Sequence, residues 1–107
     1  MITLLDICRE IGEVEMKLMY GEISFCYDNL MCAMKPGHPA DILDDILSVI
    51  GWDVHAGKEP SIEKVREVYA LLNEYITCFK VEELQSAVER LSEYLKENDP
   101  CKEQQED

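Results

Sequence analysis

Soft ligands crowd the stretch from Met16 to His38 of this 107-residue chain. Cys26, Cys32 and His38 recur at six-residue intervals, with Met16, Met19, Met31 and Met34 among them. Thiolate, imidazole and thioether are the donors that zinc and cuprous copper select, so residue type alone spells a soft-metal or redox centre. The spacing argues against one. It follows no Cys-x-x-Cys or Cys/His ligand pattern, and Met and unpaired Cys also serve as adaptable core fillers. No metal or cofactor is therefore expected, and a soft-metal or redox protein using Cys26, Cys32 and His38 is the last of the alternatives.

Catalytic groupings are equally thin. His38 and His55 fall in expected loops, and neither follows an acid at the Glu-x-x-His spacing of bundle metal sites. Nothing local resembles a nucleophile elbow or a phosphate-cradling glycine loop. The chain is read as non-enzymatic.

The carboxylates carry more information. Glu82, Glu89, Glu93 and Glu97 fall within about 80° of one another at 100° per residue and span about 22 Å at 1.5 Å per residue. Members four residues apart are about 6 Å apart, comparable to successive phosphates on a nucleic-acid strand, so the row suits a groove built for DNA or RNA. Against this, Arg90 and Lys96 flank the row, and any surface helix has a solvated face. A second group joins Asp41, Asp44, Asp45 and Asp53 to Trp52, an aromatic anchor ringed by acids. As the only Trp, expected in a loop, Trp52 also fits the role of a lid on the core.

The formal net charge is −13, from 23 acidic and 10 basic residues. Both halves share it, with 11 acids against 4 bases in residues 1–60 and 12 against 6 in residues 61–107. Such a field repels phosphate backbones and anionic lipid, which excludes direct nucleic-acid or membrane binding as the leading function and favours a basic protein partner. Acidity also confers solubility with no further role. The cysteines are odd in number, scattered and free of framework spacing, which points to reduced thiols. No positively charged leader precedes an apolar run and no stretch reaches membrane-spanning length, so a cytoplasmic location is expected.

The elements that must position these groups are helical. Leu4, Ile7, Cys8, Ile11, Val14, Leu18 and Met19 step along one face behind Thr3, a residue type suited to helix N-caps. Burial of Glu15 and Glu22 in a continuous stripe would be unfavourable, so a break is expected near Tyr20 and Gly21. Residues 20–35 read as a further helix, with a hairpin turning at Asp28 and Asn29 as the competing pattern. After the Pro36 to Pro39 connector, Asp41, Asp44 and Asp45 open a short helix that buries Ile42, Leu43, Ile46, Leu47 and Ile50; Gly51 is its expected end, with a loop from Trp52 to Pro60. Ser61 caps a helix whose stripe is Ile62, Val65, Tyr69, Leu72, Ile76 and Phe79. Val81, Leu84, Val88, Leu91 and Leu95 continue in another phase, which predicts a break between Cys78 and Val81 and an antiparallel helical hairpin.

The expectation is an all-α fold, an irregular bundle of four or five helices in one domain over residues 1–97, with a polar tail at 98–107. In function it is a small acidic binding protein, an inhibitor or regulator occupying a basic, nucleic-acid-handling surface in the manner of phage or mobile-element anti-defence proteins or of antitoxin and immunity proteins. Homo-oligomeric assembly, beginning with a homodimer, is the alternative.

Overall fold

The computed structural model describes residues 3–26 and 37–98. Four helices occupy them: α1 (Leu4–Met19), α2 (Pro39–His55), α3 (Ile62–Phe79) and α4 (Gln85–Asn98), the last preceded by a 3-10 turn at Glu82–Leu84. No strand occurs among the described residues, and the fold is all-α.

The helices close into a ring in which α1 packs on α2, α2 on α3, α3 on α4 and α4 on α1. Directions follow from the cross-links. Lys64 near the start of α3 meets Asp53 near the end of α2, while Tyr75 late in α3 reaches Pro39 at the start of α2, so this pair is antiparallel. Arg90 meets Glu10, and Leu4 shares a groove with Glu97, which sets α4 antiparallel to α1.

Local chemistry fixes the helix ends. The first N–H groups of a helix lack intrahelical acceptors. Thr3 Oγ1 accepts from the Asp6 N–H at 3.2 Å, Ser61 Oγ from Lys64 N–H at 3.4 Å, and His38 Nδ1 from Ala40 N–H at 3.1 Å, with Pro39 in the first turn. Both α1 and α2 end at a glycine in the left-handed region, Gly21 at φ 72° and Gly57 at φ 77°. Each allows a Schellman closure in which Glu22 N–H reaches Lys17 O and Lys58 N–H reaches Asp53 O, both at 2.8 Å. The change of phase after Phe79 is produced by Lys80, at φ 54°, followed by the 3-10 turn.

The core joins Ile7, Ile11, Leu43, Ile50, Val65, Leu72, Leu84 and Leu91, all essentially inaccessible. Each contributes about 1.5–3 kcal/mol on full burial. Tyr75 lies among them and satisfies its hydroxyl by donating to Pro39 O at 2.8 Å.

Several expectations are corrected. Helix α2 passes through Gly51, which is buried, and runs to His55; the glycine that ends it is Gly57. Glycine at a helix position is tolerated when packing is gained, and positive φ is what the closure requires. The inward face of α3 is Val65, Val68, Leu72, Tyr75, Cys78 and Phe79, whereas Ile62, Tyr69 and Ile76 are half-buried. With neighbours on two sides, α3 buries a broader arc than one stripe, and Tyr75 comes inside because an acceptor awaits its hydroxyl. Met19 is 51% exposed, at the open end of α1. Residues Tyr20–Cys26 are not helical; residues 27–36, with most of the ambiguous segment and Cys32, lie outside the described residues, as do residues 99–107 of the tail. Cys8 and Cys26 are free thiols but Cys78 is disulfide-bonded, so the all-reduced reading fails there. Parity and spacing in sequence do not report which thiols the fold brings together.

Candidate partner-binding surfaces

Ile50 is buried, and a residue two positions further along an α-helix points about 200° away. Continuation of α2 past Gly51 therefore turns Trp52 outward, and it is 81% exposed. The lid role does not hold. Asp41, Asp45 and Trp52 fall within about 40° of one another on the helix, and all three are exposed. Helix α2 contains no Lys or Arg, so nothing on it neutralises this strip.

The other two acids of that group go elsewhere. Asp53 lies about 100° around from Trp52 and pairs with Lys64 Nζ at 3.4 Å. Asp44 faces Glu15 of α1. The Glu15 carboxyl is raised above its ordinary value first by burial, then by the charge of Asp44 and a hydrogen bond with it, then by the charge of Asp41. A carboxyl that is partly buried and beside another negative charge favours its protonated form.

The α4 row is also divided. Glu82 sits on the 3-10 turn, where it lines a shallow cleft with Phe25, Cys26 and Lys80. Glu89, Glu93 and Glu97 remain on α4 and exposed. Helical periodicity extrapolated back from α4 counts Glu82 in the row, but Glu82 lies on the 3-10 turn ahead of that helix. Arg90 points away toward Glu10, its Nη1 3.2 Å from a buried Oε1 that makes no well-aligned hydrogen bond. The pair bridges α1 and α4 and leaves the row more acidic than its composition suggests.

Glu93 and Glu97 also border a groove of about 860 Å³ between the N-terminal end of α1, the α2–α3 loop and the C-terminal end of α4. Tyr94 lines it, with the hydroxyl 3.4 Å from Glu59 Oε1. Burial, then the charge of Glu59 and the hydrogen bond to it, raise the Tyr94 pKa. Sequence spacing located both glutamates; the groove could not be read, because it is assembled from three segments distant in the chain.

Of the soft-metal trio, Cys26 is exposed and His38 uses Nδ1 as a helix cap. Among the described residues no three His, Cys, Asp or Glu side chains are grouped to hold a metal ion. No described helix is long and apolar enough to cross a membrane. No family model, no curated protein and no solved structure matches the chain.

Proposed function

We propose that this chain is a non-enzymatic binding protein that docks the outer strip of α2 on a basic protein surface of the kind that handles nucleic acid, and so inhibits or regulates its target. The observation that carries the reading is Trp52, 81% exposed on a helix that holds no Lys or Arg, on the same face as Asp41 and Asp45. An exposed Trp loses much unfavourable hydration on docking and is the residue type most enriched at binding hot spots. The carboxylates on that face and the net charge of −13 steer a cationic partner toward it. Glu89, Glu93 and Glu97 add an acidic face of their own on α4. Anti-defence, antitoxin and immunity roles are the biological settings that suit such a protein. Action in the cytoplasm belongs to this reading; the disulfide at Cys78 pulls against it, since disulfides persist mainly in oxidising compartments.

The test is a nuclease-treated pull-down with stepwise salt elution, run in parallel with Trp52→Ala and with Asp41→Asn/Asp45→Asn. A stoichiometric basic nucleic-acid-binding protein, released by moderate salt, lost with Trp52→Ala and displaced by competing nucleic acid, supports the proposal. A partner indifferent to salt and to both variants overturns it.

A second reading, self-association, is favoured by the exposure of Met16, Met19 and Tyr20 at the end of α1, at 49%, 51% and 67%. Apolar residues this close together on one helix end are a surface that association covers. Light scattering that stays monomeric at high protein concentration removes it.

A further inference from the structure

The groove between α1, α4 and the α2–α3 loop is distinct from the Trp52 strip. Leu5, Val54 and the ring of Tyr94 give it an apolar floor, while Glu59, Glu93 and Glu97 stand around it against one cation among the described residues, Lys58. We propose that this groove is the docking site for a short basic segment of a partner protein, an extended stretch with one apolar side chain between two Lys or Arg residues. The inference rests on the reading of this chain as a binder of basic protein, and adds a second point of attachment with its own sequence preference.

Charge complementarity selects the occupant. Three carboxylates facing one ammonium disfavour phosphates and acidic peptides, and the apolar floor leaves a purely polar chain without compensation for its lost water. Spacing agrees with an extended peptide. Residues i and i+2 of a strand are about 6.7 Å apart on one face, close to the rise of about 6 Å that separates Glu93 from Glu97. Two basic side chains therefore reach both carboxylates while the residue between them turns to the floor. A second copy of this chain does not fit. Its stretch of this pattern, Lys64, Val65 and Arg66, is folded into α3 with Val65 fully buried.

The experiment titrates the acetylated, amidated pentapeptide Gly-Lys-Leu-Lys-Gly into ¹⁵N-labelled full-length protein at low salt, with Trp52→Ala and Glu93→Gln/Glu97→Gln alongside. Saturable amide shifts centred on Leu5, Val54, Glu59 and Tyr94 are expected. The double glutamine variant should weaken binding about fivefold, the loss of two solvent-exposed ion pairs, and Trp52→Ala should bind like the native chain. A peptide with Ser in place of both Lys loses the same two ion pairs and should bind at least fivefold more weakly. Shifts centred on α2, shifts spread evenly over the surface, or an affinity unchanged by the double variant overturn the assignment. Because the Trp52 variant is read separately, failure of the α2 strip as a docking face leaves this result standing, and the reverse also holds.

Discussion

Replacement of Tyr75 by Phe removes one oxygen from the centre of the bundle and nothing else. The side chain is fully inaccessible, its ring lies 4.8 Å from that of Phe79, and its hydroxyl donates to Pro39 O at 2.8 Å. Pro39 opens α2, where a carbonyl at i also accepts from the N–H at i+4, so its oxygen keeps one partner after the hydroxyl is gone. The loss is then that of one neutral hydrogen bond without an orphaned acceptor and without a cavity, about 1 kcal/mol. For a domain of this size that lowers Tm by roughly 4–8 °C. Tyr75→Ala is the contrast: it opens a cavity where α2 meets α3 and should cost about 3–5 kcal/mol. Urea unfolding followed by circular dichroism measures both. A Phe variant as stable as the native chain would refute the claim that this hydrogen bond holds α3 in its observed rotation. A Phe loss approaching that of Ala would show that the acceptor is left orphaned.

Stability should also respond to pH through Glu15, whose folded pKa lies above its unfolded one. A raised carboxyl favours folding when protonated, so its contribution is fully present below the unfolded pKa and is lost as pH rises through the folded value. Glu15→Gln should therefore gain stability over the native chain at neutral pH and lose that advantage in acid, as paired urea titrations would report; an advantage independent of pH would contradict a raised Glu15 carboxyl. Gly57→Ala meets no atom within 4 Å but must hold φ 77°, so it should destabilise by about 1–2 kcal/mol from backbone strain alone, measurable by the same unfolding method. Cys26 is exposed while Cys8 is buried and raised to about 11 by desolvation. Iodoacetamide at neutral pH should modify Cys26 promptly and Cys8 only on unfolding, with Cys78 protected until reductant is added, as peptide mass mapping would show.

Helical periodicity, one polar capping residue ahead of α1 and another ahead of α3, and the scarcity of breakers were enough to read an all-α chain and to place α1 and α3 within a residue or two. These signals are local, and local spacing is what a helix obeys. The same periodicity marked Asp41, Asp45, Glu89, Glu93 and Glu97 as surface acids, since a face opposite an apolar stripe is solvated wherever the stripe is buried. What spacing could not reach were choices made by distant contacts. Gly51 looked like a stop, and only packing of α2 into the bundle carried the helix on to His55 and turned Trp52 outward. Tyr69 was expected on the apolar stripe and Tyr75 was not, but Tyr75 is the one buried, its hydroxyl met by the Pro39 carbonyl 36 residues away. Extension of α2 as one helix rotated Asp44 and Asp53 off the Trp52 face, where they meet Glu15 and Lys64 of neighbouring helices, and Cys78 found a disulfide that its sequence spacing did not announce. The amino-acid order determined which residues form helices and which face of each is apolar; the tertiary structure decided how wide that face is, which acids are neutralised across it and where a groove opens, because those depend on pairs of groups that chain order leaves far apart.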